Sequence, residues 1–271
     1  GLATMALKAT KANLDMSGTR LGSHTLVRLL GKGGLGTVYL ARNDIDRSME
    51  AVKILDPKLI GSARTLERFQ REIENSKILS HPNIVKVTGS GNSLDIFYLT
   101  MEYCRGGSLN ELASGQGPLP PGNACSIVVQ VLDGLEYAHN VEVPMVKMSD
   151  GTYGKGFGLI HRDIKPENIL LSDKMQTTNG RGQNGNETEN RRNGESVAYE
   201  LTVKVSDFGL AKNYGMAGRT GYTQTGSVGG SIAFMCRQQL LNYKYSKPEV
   251  DVWSAAAVLY FLLAGKPPRD C

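Results

Sequence analysis

The chain has 271 residues, a net charge of +5, and 40% hydrophobic against 21% charged side chains, an ordinary globular balance with enough apolar mass for a core in one large domain or two lobes. So small a charge over this length, with Arg191-Arg192 the only adjacent arginine pair, argues against a nucleic-acid partner. Cys104, Cys125, Cys236 and Cys271 are far apart and show no CxxC spacing, which argues against a disulfide framework or a zinc site and for a reducing, cytoplasmic setting.

Residues 1–20 carry no strong period and read as a tail, without the charged-then-apolar pattern of a signal peptide. From 24 to 103 short β-like runs dominate: HTLVRLL, TVYLAR, MEAVKIL, IVKVTG and DIFYLTMEY. One helical stretch interrupts them, ARTLERFQREIENSKIL, with Leu66, Phe69, Ile73 and Ile78/Leu79 at helical spacing. A small, mostly antiparallel sheet carrying one helix is predicted. After Gly106-Gly107 the character changes. Ser108-Leu-Asn-Glu111 has the form of a capping box, and NACSIVVQVLDGLEYAHN (123–140) places Ile127, Val131 and Leu135 on one face of a long helix. The second half is therefore predicted to be mostly helical.

Two segments break that half. Residues 141–158 are rich in glycine and turn formers, and 172–196 hold Met175 as their single large apolar residue, so both are expected to be flexible insertions. Such insertions need not harm a fold, since lengthening a connection fourfold adds only about 1.2 kcal/mol of closure entropy. ELTVKVS (200–206) is again β-like, and the apolar run VWSAAAVLYFLLAG (252–265) is too short for a bilayer and predicts a buried core helix, not a membrane segment.

Chemistry-bearing residues gather in four places. LLGKGGLGTVYLA (29–41) sets Gly31-x-Gly33-x-x-Gly36-x-Val38 between two β-like runs. A glycine-rich hairpin with no ligand is the plain reading. A dinucleotide fold would need a helix where Thr37-Val38-Tyr39-Leu40 reads as strand, and a Walker loop would need Gly-Lys-Ser/Thr where Gly36 is followed by Thr37. A strand–loop–strand over phosphates remains, its glycines letting backbone N–H groups approach closely. Lys53, in Ala51-Val52-Lys53, puts an amine on the next strand, with Glu72 of the helical stretch a candidate partner and Glu67 and Glu74 competing for that role. LIHRDIKPENILL (159–171) breaks an apolar run with Asp163, Lys165 and Asn168, either a surface turn or a proton acceptor, a phosphate clamp and a metal ligand. Asp207-Phe208-Gly209 sets a carboxylate at a strand end, which suits Mg²⁺.

Together and in this order, GKGGLGTV, AVK, HRDIKPEN and DFG resemble the signature set of the eukaryotic-like, bacterial-type serine/threonine protein kinases over roughly residues 24–268. His81-Pro82-Asn83-Ile84-Val85 and Asp251-Val252-Trp253-Ser254 fit the same family, and Lys165, two residues after Asp163, resembles its serine/threonine branch. The resemblance implies an α+β, bilobal kinase-like domain over 21–271: a small antiparallel β lobe with one helix (about 24–103) and a mostly helical large lobe (about 104–271) lacking its last helices. It implies transfer of the γ-phosphate of ATP, held with Mg²⁺, to a serine or threonine hydroxyl of a protein substrate.

Carried over residue by residue, Asp163 would orient the hydroxyl and accept its proton, and Lys165 would neutralise the γ-phosphate. Lys53, secured by Glu72, would hold the α- and β-phosphates, and Asn168 and Asp207 the metal. Gly31, Lys32, Gly33, Gly34 and Gly36 would fold over the phosphates, with Leu30, Val38 and Ala51 lining the nucleotide site. The backbone from Glu102 to Cys104 would receive adenine, with Met101 guarding the space behind. Arg162, beside Asp163, implies an activation segment ordered by phosphorylation, for which Thr220, Thr223, Thr225 and Ser227 are candidates and Thr225 or Ser227 the favoured ones.

Two features depart from the family's pattern. Cys236-Arg237-Gln238 stands where Ala-Pro-Glu is usual, so Gln238 cannot supply the family's buried ion pair, and the chain ends soon after the apolar helix. A fragment of modest stability is the expectation. A nucleotide-binding pseudokinase or scaffold is the rival reading, but Lys53, Glu72, Asp163, Lys165, Asn168 and Asp207 all have the residue type that an enzyme needs.

Overall fold

The computed structural model describes residues 15–34, 36–57, 63–147, 153–173, 188–192, 195–199, 201–208, 232–242 and 246–269. Strands β1 (Arg20–Leu21), β2 (His24–Gly33), β3 (Gly36–Asn43), β4 (Met49–Leu55), β5 (Val87–Ser93) and β6 (Ile96–Glu102) form one antiparallel sheet in the order β1-β2-β3-β4-β6-β5. Helix α1 (Ala63–Lys77) lies between β4 and β5 in sequence and packs on one face of the sheet, where Phe69 and Ile73 meet Ala51, Leu55, Leu99 and Met101. On the other face Leu21, Leu26, Tyr39, Ala41, Val52 and Tyr98 make a second apolar layer. Alternation along β4 serves both layers and turns Ala51 and Val52 to opposite sides.

The large lobe is built on α2 (Leu109–Gln116), α3 (Pro121–Asn140) and, later in the chain, α4 (Arg237–Leu241) and α5 (Glu249–Ala264). The capping box forms: Glu111 N donates to Ser108 Oγ (3.2 Å) and Ser108 N to Glu111 Oε2 (2.7 Å). Ile127, Val131 and Leu135 of α3 are buried against Val258 and Leu262 of α5. Gly134 lets α3 press on the segment behind it, because a Cβ there would lie 2.9 Å from Asn83 O. Helix α5 is apolar nearly all round but is covered on one side only: Val250, Ala255, Val258 and Leu262 are buried in the core, whereas Val252, Tyr260 and Leu263 are exposed, so the run at 252–265, predicted as a buried core helix, is half covered. Among the described residues no helix is long and apolar enough to cross a membrane.

Four further differences from the sequence reading have local causes. The packed domain reaches back into the expected tail: Met16 N donates to Tyr39 OH (3.1 Å), its side chain covers the outer layer, and Arg20 already pairs with β2. Strand β5 starts at Val87, because the run from Ile84 is drawn to the other lobe, where Val85 N donates to Val205 O (2.9 Å) and Val205 N to Asn83 O (2.8 Å). Within 141–158, β7 (Glu142–Lys147) and β8 (Tyr153–Phe157) form a hairpin whose base is closed by Gly158 N to Val141 O (2.9 Å) and anchored by fully buried Val143. At the end of 172–196, β10 (Thr188–Arg192) pairs with β11 (Glu195–Tyr199), so the low-apolar composition misses a second hairpin. Strand β9 (Ile169–Leu171), between the two hairpins, pairs with β12 (Val203–Val205), which follows the second, in a two-stranded ladder at the base of the cleft.

Candidate active site

The roof of the cleft is the β2–β3 hairpin, which closes at Gly33 opposite Gly36 after two register shifts in β2, between Leu26/Arg28 and Leu29/Gly31. Gly36 is fixed by the fold: its φ is +144°, and a Cβ would collide with Ile54 O. Gly31, Gly33 and Gly34 differ, since a Cβ on any of them would meet nothing within 4 Å among the described residues, so no described neighbour demands glycine there. Bare backbone facing open space is what a close-fitting phosphate chain would use. Lys32 is exposed at the turn. Beneath the hairpin, Leu30 and Val38 join Ala51, Met101 and Cys104 in one apolar layer, which Leu170 of β9 completes from the other lobe. Burial, and then the nearby Glu102 carboxylate, push the Cys104 thiol up to about 12, so it stays neutral. The Glu102 side chain is committed elsewhere, accepting from Lys86 N (2.7 Å) and Lys204 Nζ (3.0 Å). Met101 lines a narrow pocket of about 20 Å³ behind this layer, with Ile73, Leu79, Val85 and Phe208.

Lys53 sits at the centre of β4, opposite Val38 on one side and Leu99 on the other, and is 5% exposed. Its ammonium is 2.7 Å from Asp207 Oδ2, and among the described residues this, not a pair with Glu72, is the ion pair it makes. The reason is positional, because Asp207 lies two residues past the end of β12 and φ of +65° turns its side chain back towards the sheet. Burial alone would raise the Asp207 carboxyl, but Lys53, by charge and hydrogen bond, with Lys165 adding to it, holds it below its ordinary value. Glu72 lies on α1 beside Ser76, whose Oγ bonds to both Glu72 O (2.8 Å) and Phe208 O (2.9 Å), so the helix touches the residue after Asp207.

Asp163, Lys165 and Asn168 come together as the sequence predicts. Asn168 Nδ2 donates to Asp163 O (2.7 Å) and Oδ2 (3.0 Å), and Lys165 Nζ lies 3.1 Å from Asp163 Oδ2. A single 3₁₀ turn, Pro166–Asn168, brings Asn168 back under Asp163. Ser206 N and Oγ both donate to Asn168 O (2.8 and 3.1 Å), which joins this loop to the residue before Asp207.

The anchors beneath the loop include His161 and Asp251, which the family motifs contain but whose anchoring role the sequence does not reveal. Asp251 of α5, fully buried, accepts from His161 N (2.8 Å), Arg162 N (2.7 Å) and His139 Nε2 (2.8 Å). His161 Nε2 donates to Ser206 O (2.7 Å), which leaves Nδ1 to accept from Asp163 N (3.1 Å) and makes the ring a neutral wedge edge-on to Phe208 at 4.8 Å. Arg162 takes φ of +67°, a conformation that costs about 1–3 kcal/mol outside glycine and that these anchors enforce.

The donor set suits a divalent cation carrying a triphosphate. Asp207 offers a carboxylate and Asn168, its NH₂ committed to Asp163, offers a side-chain carbonyl, hard oxygens of the kind and small number that Mg²⁺ takes alongside phosphate and water. Gly209 and 209–231, with Thr220, Thr223, Thr225 and Ser227, lie outside the described residues. Gln238 is exposed, so no buried charge is missing from that position, while its neighbour Gln239 is buried.

Residues 24–270 match the protein kinase domain family. The chain belongs to that family. It is 32% identical over 249 residues to the serine/threonine-protein kinase PrkC of Bacillus subtilis (strain 168), a match covering 92% of this chain and 31% of that protein. It is also 32% identical over 244 residues to the serine/threonine-protein kinase PknB of Mycobacterium leprae (strain TN), covering 89% of this chain and 32% of the relative. The chain thus spans about a third of the length of these curated relatives. The Mycobacterium tuberculosis PknI kinase domain shares the fold, with a TM-score of 0.62 at 23% identity over 94% of this chain and 78% of that one.

Proposed function

We propose that this chain transfers the γ-phosphate of MgATP to a serine or threonine hydroxyl of a protein substrate. The observation that carries the reading is the convergence of Lys53 on Asp207 (2.7 Å) and of Asn168 and Lys165 on Asp163 (3.0 and 3.1 Å) around one cleft roofed by open glycines. Asp207 and Asn168 would hold Mg²⁺, whose role when bound is to neutralise the β- and γ-phosphates. Lys53 exchanges its carboxylate contact for the α- and β-phosphates, with Glu72 on the adjoining helix as its second partner. Adenine lies between Leu30, Val38 and Ala51 above and Leu170 below, meeting the backbone of Glu102 to Cys104. Asp163 accepts the proton of the incoming hydroxyl, and Lys165 steadies the transferred group. A cytoplasmic setting belongs to this reading, and the free thiols of Cys104, Cys125 and Cys236 support it.

The test is transfer of labelled phosphate from ATP to a basic acceptor protein, followed by phosphoamino-acid analysis. Phosphoserine or phosphothreonine made by the wild-type chain, and lost in Lys53→Met, is the expected result. ATP binding without transfer under any divalent cation would favour the scaffold reading instead.

A further inference from the structure

The peptide group between Arg162 and Asp163 is pinned at both ends. Its N–H, on Asp163, donates to His161 Nδ1 (3.1 Å), and its C=O, on Arg162, accepts from Gln239 Nε2 (2.6 Å). The first contact lies within the catalytic loop. The second comes from a different element, the short helix α4, seventy-seven residues further along the chain. Gln239 is 1% exposed, and its Oε1 is buried and accepts no hydrogen bond among the described residues. A buried amide with one half unsatisfied is a poor choice for stability, since an apolar side chain of similar size would fill the space without that penalty. The residue is better explained by the bond that its other half makes.

What holds Gln239 strengthens the case. Its own N–H donates to Cys236 Sγ (3.4 Å) at the start of α4. The residues just before are tied to α5: Ser254 Oγ donates to Phe234 O (2.8 Å), and Arg269 Nη1 donates to Met235 O (3.0 Å) while its guanidinium lies 4.8 Å over the Trp253 ring. The same helix supplies Asp251, which holds Arg162 N (2.7 Å). Helix α5 therefore grips the strained Arg162 backbone twice, directly through Asp251 and indirectly through Gln239.

We infer that Gln239 is a positioning residue for phosphotransfer: its amide sets the tilt of the Arg162–Asp163 peptide and so aims the Asp163 carboxylate at the substrate hydroxyl. This rests on the kinase reading. It also makes segment 232–242 a mechanical link between α5 and the catalytic loop, so that a shift of this segment is felt at Asp163.

The isosteric variant Gln239→Met separates aim from stability. Its melting temperature should equal or exceed that of the wild type, while kcat falls roughly 10- to 100-fold, the cost of a slightly misplaced catalytic group, and the KM for ATP changes less than about twofold. In Gln239→Glu the donor returns only when the carboxyl is protonated, so its rate relative to wild type should rise as the pH falls from about 8 to about 6, a buried carboxyl titrating well above its ordinary range. Exposed Gln238→Met serves as the control and should match wild type throughout. Wild-type kcat in Gln239→Met, or a loss of kcat that only follows a fall in melting temperature, overturns the inference. A flat pH ratio for Gln239→Glu overturns it as well. An inactive wild-type chain would instead refute the kinase reading, and the two failures cannot be confused.

Discussion

The roof and the floor of the cleft are held by opposite means. The roof, Gly31 to Gly36, is a hairpin end whose Gly31, Gly33 and Gly34 face open space and whose fixed point is the tight approach of Gly36 to Ile54 O. The floor, His161 to Asn168, is locked from below by a fully buried carboxylate, a buried imidazole and a buried amide, and it holds Arg162 at positive φ. On the proposed reading this suits their tasks, a roof that receives a nucleotide being left loosely packed and a floor that aims one carboxylate being over-determined. Changes in the roof should therefore alter binding, and changes in the floor should alter turnover or stability.

The largest expected effect is on the floor. Asp163→Asn keeps the shape of the side chain but removes the proton acceptor, and kcat should fall about 10²- to 10⁴-fold with the fold intact, as read by phosphotransfer beside circular dichroism. Asp251→Ala comes next. Leaving the buried N–H groups of His161 and Arg162 without their acceptor should cost about 3 kcal/mol or more. That loss corresponds to a fall of roughly 6–12 °C in melting temperature.

The roof should respond in the reverse sense. Gly33→Ala and Gly34→Ala should leave stability within about 0.5 kcal/mol, because nothing crowds them. They should nevertheless raise the KM for ATP about tenfold, the equivalent of about 1.4 kcal/mol. Gly36→Ala should behave as a folding mutant, losing about 1–3 kcal/mol to overpacking against the β4 backbone. Equal effects from Gly33→Ala and Gly36→Ala would break the contrast.

Where roof and floor meet, the Lys53–Asp207 pair ties stability to pH. Because the folded-state Asp207 carboxyl lies below its ordinary value of 3.8, its contribution is complete above that pH and is lost as acid protonates it in the folded state. Asp207→Asn should flatten this acid limb in melts run at successively lower pH and leave the neutral side less affected. The smallest effect should be at the capping box, where Ser108→Ala removes the cap but keeps the backbone bridge to Leu170 and should cost about 1 kcal/mol with no change in KM or kcat.

What a single sequence reveals follows the reach of the interaction. Strands β2, β3, β4 and β6 and helices α1 and α3 show their period directly, since Phe69 and Ile73, or Ile127, Val131 and Leu135, lie a turn apart and meet one buried face. The groups proposed to react are legible because such chemistry forces residue types into short motifs. Partners set by folding are not. Lys53 goes to Asp207, 154 positions away, and Asp251 and Gln239 serve the catalytic loop from 89 and 77 positions away, through backbone atoms that every residue possesses. Leu170, which completes the apolar layer of Leu30, Val38 and Ala51 from below, hides in an apolar run. The two hairpins at 142–157 and 188–199 escape a reading based on composition because backbone pairing, not apolar period, defines them.

The central claim is that roof and floor enclose one magnesium triphosphate, and a crystal structure with Mg²⁺ and a non-hydrolysable ATP analogue tests it most directly. The expected density shows the phosphates under Gly31–Gly36, a metal touching both Asp207 and Asn168 oxygens, and the Asp163 carboxylate within hydrogen-bond reach of a hydroxyl placed in line with the γ-phosphate. A nucleotide bound elsewhere, or a metal that touches neither residue, would contradict it.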